Sequence, residues 1–388
     1  MDNKNSIIRK YTSELVRACF EKRSPAQIPS ELTAKELLDL SIKGQMQYPI
    51  ASSLLKLELS QEDADMARKL LRFSTIKTFT QVKSLAQITR CFEENGIRHQ
   101  LLKGAITKSF YPSPEIREMS DLDIIIYDES LDKAAELLEE LGFTNHGLEK
   151  HHMIFTNANA VHVELHWCLF DQNADRKQFI YFRDNFKATL KNGSQYTYEF
   201  GVDDFYVYMI SHMSKHFFET GCGIRNLLDI YVYRNKVGDR LNKEYLDQEF
   251  EKLGIKDFEE QMRELAYIWM DNKECSEFFE KLFAYMVDSG IYGKSENGVW
   301  SQLAKETTGG ESWVKLHYYF PSIRFMREKY PILNKYPFLL PGAWGFRAVS
   351  GFFSKQSRDH KKEIEGANKE EVDSMLEIYH KLNLNFRR

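Results

Sequence analysis

The sequence has little of what would assign it quickly. Its five cysteines, Cys19, Cys91, Cys168, Cys222 and Cys275, are dispersed, and no two form a CxxC pair. An odd, scattered set gives neither a disulfide framework nor a zinc knuckle, and it fits a reducing, cytoplasmic setting. Positive charge is not in excess: 53 Lys and Arg stand against 57 Asp and Glu, a formal charge of −4. That balance argues against an extended surface tracking a phosphate backbone, so long nucleic acid is the least expected partner. No apolar run is long enough to span a bilayer, and the longest, Phe338 to Phe353, is interrupted by Pro341, Gly342 and Arg347. The charged N-terminus lacks a continuous apolar stretch and does not read as a signal peptide. Internal repeats and low-complexity segments are also missing.

What is present is ample core-forming material. Hydrophobic residues make up 43% and aromatics 13% of 388 residues, a length that predicts two or three domains. The texture divides the chain into a helical region over 1–92, an α/β core over 93–185 and a second helical region over 186–388. The fold class expected is therefore α+β, a small mixed β-sheet core flanked by N-terminal and C-terminal helices. In the first region Leu70, Leu71, Phe73, Ile76 and Phe79 form an apolar cluster, followed by Leu85, Ile88 and Phe92 at helical spacing. Ser60, three residues before Asp63, reads as a helix start. In the core, Ile97–Leu102 and Met119–Ile126 read as strands, and Ser130 precedes a helix that Gly142 ends. His152–Thr156 and Val161–Trp167 read as a hairpin. From Phe179 onward the pattern is mainly helical.

The chemistry concentrates in Ser120-Asp121-Leu122-Asp123. Side chains alternate along a strand, so Asp121 and Asp123 share a face, with Cα atoms about 7 Å apart. Two carboxylates at that separation can bracket divalent ions, as in-line phosphoryl displacement requires. Mg²⁺ favours hard oxygen ligands; Mn²⁺ is the alternative. The aspartates lead straight into Ile124-Ile125-Ile126, where unpaired charge is costly. A second strand, Val161-His162-Val163-Glu164-Leu165-His166-Trp167, puts His162, Glu164 and His166 on one face, and Glu164 can complete a three-carboxylate set.

These residues carry a resemblance. Leu101-Leu102-Lys103-Gly104-Ala105, Arg117-Glu118-Met119-Ser120-Asp121-Leu122-Asp123 and Glu164-Leu165-His166-Trp167 resemble the bacterial uncharacterised nucleotidyltransferase family of the DNA polymerase β-like superfamily. So do His212-x-x-Lys215-His216, Gly223-Ile224-Arg225-Asn226-Leu227-Leu228-Asp229, and the stretches from Phe320-Pro321 and from Leu339-Leu340-Pro341 to Arg347. The resemblance implies a mixed sheet with Asp121, Asp123 and Glu164 as metal ligands. It implies transfer of a nucleoside monophosphate from an NTP, with ATP the first choice, to an acceptor hydroxyl with release of pyrophosphate. Where the superfamily places a Gly-Ser pair before the triphosphate-binding helix, this chain has Lys103-Gly104-Ala105, a departure that leaves the phosphate ligand open.

On this reading Lys103, Gly104, Arg117 and Ser120 hold the nucleotide. His166 or His162 serves as base, and His162, His212, His216 and Arg225 are candidate substrate contacts. Arg225 and Asp229, four apart, also fit an intrahelical ion pair. Two other readings compete. One is a transition-metal hydrolase using His162, Glu164 and His166. The other is a non-catalytic nucleotide- or partner-binding protein, favoured by the missing Gly-Ser pair. The acceptor, whether small molecule or protein, is not written in the sequence.

Overall fold

A computed structural model of the chain describes residues 2–127, 130–149, 151–172, 176–184, 187–294, 297, 300, 311–353 and 369–384. Four helices come first: α1 (Asp2–Phe20), α2 (Ala34–Gly44), α3 (Gln47–Leu54) and α4 (Gln61–Glu94). The α/β part follows, with β1 (His99–Leu101), α5 (Lys103–Thr107), β2 (Leu122–Ile126), α6 (Leu131–Glu140), β3 (Phe143–Glu149), β4 (His152–Asn157), β5 (His162–His166), α7 (Arg176–Asp184), β6 (Ala188–Leu190) and β7 (Thr197–Phe200). Then come α8 (Val202–Thr220), α9 (Arg225–Val237), α10 (Lys243–Leu253), α11 (Lys256–Met270) and α12 (Glu277–Ser289). The last five helices are α13 (Glu311–Tyr319), α14 (Ile323–Lys329), α15 (Ile332–Lys335), α16 (Leu340–Phe353) and α17 (Lys369–Leu382). The class is α+β, and no helix among the described residues is long and apolar enough to cross a membrane.

The helix starts follow local chemistry. Thr33 and Glu36 form a capping box on α2, each side chain accepting the other's backbone N–H at 3.2 and 2.9 Å. Ser60 accepts from Asp63 N at 3.1 Å and opens α4 where the sequence placed a start. Ser130 stands at the N-cap of α6 without a capping side-chain bond, and Gly142, at φ +85°, ends the turn that follows the helix.

The sheet has seven strands in the order β3-β4-β5-β2-β1-β7-β6. It is mixed: β2 runs parallel to β5 and β1 parallel to β7, while the other neighbours are antiparallel. The expected hairpin is β4–β5. Strands β6 and β7 are additions to the sequence reading, which continued helix from Phe179; at three and four residues they are too short to show a period. The anticipated boundary at residue 92 falls inside α4, and residues 185 and 186 lie outside the described residues.

The two faces of the sheet serve different cores. Leu122, Ile124 and Ile126 of β2, with Val163 and Leu165 of β5, pack with Ile88 and Phe92 of α4 and Leu138 of α6. Ile125 faces the other way, into a large core drawing on Tyr11, Leu37, Phe205, Trp269 and Leu384, so first and last helices share one interior. Alternation therefore puts Asp123 on the side of the larger core.

Helix α4 departs from the sequence reading. Phe73, Ile76 and Phe79, taken there as one apolar cluster, are 57%, 56% and 53% exposed, whereas Ser74, Thr78, Gln81 and Ser84 are buried. The buried side meets the polar loop between α5 and β2. Gln81 Nε2 donates to Met119 O at 3.2 Å, and Lys108 Nζ to Pro114 O at 2.8 Å and Thr78 Oγ1 at 3.4 Å. Hydrogen bonding to that loop outranks hydrocarbon burial along this stretch.

The shared interior is tied by charge as well as by packing. Arg9 of α1 is fully buried and donates to Glu280 of α12 at 2.8 Å and to Lys273 O at 3.0 Å. Removing one partner of a buried pair strands the other. Glu280→Ala is expected to lower unfolding free energy by about 3 kcal/mol, the low end for a buried pair because Glu280 keeps some solvent contact. Urea denaturation measures it, and a loss within error of zero rejects this tie.

Candidate functional site

The site begins with a register. In the parallel pair β2–β5, Asp123 and Glu164 are direct Cα partners, so their carboxylates emerge side by side from one face. Two residues further along β5, His166 turns to the same face. Its Nε2 lies 3.0 Å from Asp123 Oδ1 and 3.3 Å from Glu164 Oε2. Lys103 Nζ approaches Asp123 Oδ2 at 3.4 Å. Lys103 holds φ at +32°, an uncommon value for a residue with a Cβ, at the point where β1 gives way to α5.

The electrostatics follow from this crowding. Burial works against ionisation of Asp123, yet Lys103 and His166 outweigh it and keep the carboxyl well below the usual range. Burial first, then the charge of Asp123, pushes Asp121 up to about 6, with Lys103 opposing. Burial also disfavours the imidazolium of His166, but its bonds to Asp123 and Glu164 carry it above the ordinary histidine value. Asp123 and Glu164 thus share a small space with His166 and Lys103, while Asp121 lies outside that group of ligand atoms and feels the charges of Lys103, Arg225 and Lys77. Ligand atoms of Asp123, Glu164 and His166 lie within 4.8 Å of one another, an arrangement that can hold a metal ion. The donors suit a divalent cation that favours oxygen and tolerates one nitrogen.

Histidines form a second grouping. His151, in the turn before β4, and His152, the Cα partner of His166 across β4–β5, cluster with His166 at ring-centroid distances of 5.0–5.4 Å. Their ligand atoms also lie within 4.8 Å of one another. Burial lowers His151 to about 3 and lowers His152 as well. His162, expected on the ligand face of β5, is exposed and belongs to neither grouping. The His162–Glu164–His166 triad of the hydrolase reading is therefore not what the described residues bring together.

Helix α8 brings Tyr208 and His212 within electrostatic reach of the acidic face. Tyr208 is buried, and its hydroxyl is held well above its ordinary pKa by burial and then by Asp123. His212 and His216 stand with their Nε2 atoms 2.9 Å apart, and burial, then Lys103, keeps His212 well below the imidazole range. His212 stands close enough to Lys103 to feel its charge. Sequence inspection passed over Tyr208 as one aromatic among many, and over the His151-His152 doublet because its link to His166 is a strand register.

The remaining candidates form a buried clamp. Arg117 donates to both oxygens of Asp229, at 3.0 and 2.8 Å, and to Glu118 O at 2.6 Å; Tyr111 adds a 2.7 Å bond to Asp229. Its fork is fully engaged, and the intrahelical Arg225–Asp229 pair does not form. Arg225 instead donates to Gln45 Oε1 and, at 3.0 Å, to Glu118 O. Burial lowers its guanidinium to about 10. Ser120 Oγ accepts from Gln45 Nε2 at 2.9 Å. Gly104 permits a close approach: a Cβ there would lie 3.0 Å from Met119 and 3.1 Å from Arg117 Nη1. Arg117, Ser120 and Arg225 thus anchor the segment leading to Asp121.

The family described as uncharacterised nucleotidyltransferase matches residues 30–271, a span that contains every residue named in this site. No curated protein and no solved structure matches. With most of its length covered, the chain belongs to the uncharacterised nucleotidyltransferase family. The stretches of resemblance from Phe320 to Arg347 lie outside the match.

Two outcomes test this geometry. Asp229→Ala leaves Arg117 buried and unpaired and is expected to cost about 3–5 kcal/mol of unfolding free energy, read by urea denaturation. His166 has a raised pKa, so its bonds contribute stability fully present below the unfolded imidazole value and lost as pH rises through the folded one. In metal-free buffer, His166→Gln is expected to lower Tm more at about pH 6 than at about pH 9. Equal losses at both would remove the charge-assisted bond.

Proposed function

We propose that this nucleotidyltransferase-family protein transfers a nucleoside monophosphate from an NTP to an acceptor hydroxyl, releasing pyrophosphate, on the face of β2 and β5. One observation carries the reading: Asp123 and Glu164 are register partners, their ligand atoms grouped with that of His166, with Asp121 just upstream. Asp121, Asp123 and Glu164 would hold divalent cations, Mg²⁺ first and Mn²⁺ as the alternative. When bound, such ions neutralise phosphate charge and lower the pKa of the attacking hydroxyl.

The chain's own residues then orient and select. His166, donating from Nε2, fixes the Asp123 carboxylate and limits its rotation. Lys103, a quarter exposed and joined to Asp123 by a single long contact, is a cation able to turn toward a phosphate. Its place after β1 stands in for the absent Gly-Ser pair. The buried clamp of Arg117, Arg225 and Asp229 keeps the Asp121 segment fixed, so little rearrangement accompanies reaction. Tyr208 and the His212–His216 pair belong to helix α8, where an acceptor would lie. ATP is the first nucleotide to test; the acceptor is a small molecule or a protein hydroxyl.

In assays of pyrophosphate release with each NTP and Mg²⁺ or Mn²⁺, Asp121→Asn and Asp123→Asn are expected to lower kcat/KM by at least about 1,000-fold. Lys103→Ala should act mainly through KM. Calorimetry supplies a readout independent of the acceptor: NTP binding should need the divalent ion and weaken in Asp123→Asn. Nucleotide affinity indifferent to both metal and Asp123 would overturn the reading, and binding without turnover would favour a non-catalytic role.

A further inference from the structure

We infer that His151, His152 and His166 form a further site for a single transition-metal ion of the Zn²⁺, Co²⁺ or Mn²⁺ type, bound through imidazole nitrogens beside the carboxylates. The first support is geometric. The three rings lie 5.0–5.4 Å apart between centroids, and each offers a ligand atom within 4.8 Å of the other two. The fold brings them together from two places: a doublet at the start of β4 and the last residue of β5, joined by the His152↔His166 register.

The second support is independent. The Nδ1 atoms of His151, His152 and His166 are all buried without a hydrogen-bond partner among the described residues. His151 and His166 are themselves only 6% and 4% exposed. A buried ring nitrogen left unpaired is costly, and three in one cluster are a strong signal that something else satisfies them. Imidazole is the commonest metal ligand, and a bound ion satisfies ring nitrogens that the protein leaves unpaired.

The outer edges of the rings fit the same assignment. Histidines that bind metal through one nitrogen commonly donate the other N–H to a carboxylate, which fixes tautomer and ring orientation. His166 presents Nε2 to Asp123 and Glu164 at 3.0 and 3.3 Å, and His152 presents Nε2 to Glu164 Oε2 at 3.8 Å. In both rings it is Nδ1 that remains unpartnered. The charged groups around the cluster favour a cation: Asp123, Glu149, Glu164 and Asp171 stand against Lys103 and Lys215. His152, with its side chain 12% exposed, gives an ion a way in. This set differs from the triad read along β5, since His162 takes no part and no reaction is assigned to the ion.

The assignment does not depend on nucleotide transfer, and the test keeps the two apart. Untagged, chelator-stripped protein is titrated with Co²⁺ in a large excess of Mg²⁺ and followed by its visible d–d absorption. One equivalent is expected to bind with a nitrogen-rich spectrum. His151→Ala and His152→Ala should each weaken it by more than about 100-fold, beyond what losing an outer-sphere partner costs. Circular dichroism at matched temperature checks that both variants fold, and His152→Cys, which keeps a metal-binding group, should recover affinity with a shifted spectrum. Asp121→Asn should keep the Co²⁺ site while losing pyrophosphate release. The inference is overturned if no Co²⁺ binds against Mg²⁺, or if binding survives both histidine substitutions and disappears in Asp121→Asn. Loss of turnover in Asp121→Asn would leave the carboxylate reading intact even then.

Discussion

The constraint that organises this molecule is negative charge gathered at the start of two parallel strands. Asp123 and Glu164 are adjacent by register, and Asp121, two residues before Asp123, lies within reach of their charge. Carboxylates gathered in this way, with Asp123 only 4% exposed, are tolerated only with counter-charge built around them. Lys103 and His166 supply it, and the strained backbone at Lys103 belongs to the arrangement that delivers that ammonium. Helix α8, with the His212–His216 pair and the buried Tyr208, then stands within reach of a centre whose charge is set by the sheet.

Around that centre lies a layer of buried hydrogen bonds. The sequence motifs at 117–123 and 223–229 are far apart in the chain, yet they meet through Arg117–Asp229 and through Arg225 to Glu118 O. Their joint presence has a physical reason: one segment carries the acid, the other holds it in place. Helix α4 contributes in the same way. It turns Ser74, Thr78 and Gln81 inward toward the loop and leaves Phe73, Ile76 and Phe79 outside.

The sequence disclosed the parts of the fold governed by alternation and local chemistry. The strand through Asp123, the β4–β5 hairpin and the opening of α4 at Ser60 all rest on patterns a few residues long. It disclosed the acids for the same reason, since a paired aspartate entering a β-branched run is a local anomaly. What stayed hidden depends on who pairs with whom. Arg117 resembles any arginine near a phosphate motif until Asp229 is placed against it. The apolar residues of α4 look like core until the loop's hydrogen-bonding demand is known. His151 and His152 acquire meaning only beside His166, and β6 and β7 are too brief to announce themselves.

The distance between Asp123 and Glu164 is set by the ladder between β2 and β5 and owes nothing to the chain that joins them. That chain makes a long excursion through α6, β3 and β4 before it returns. A relative with a longer or shorter detour would keep the same two acids side by side, provided both strands found their register. A search pattern with a fixed gap between the paired aspartates and the Glu-x-His would therefore pass over kindred proteins whose centres are superimposable.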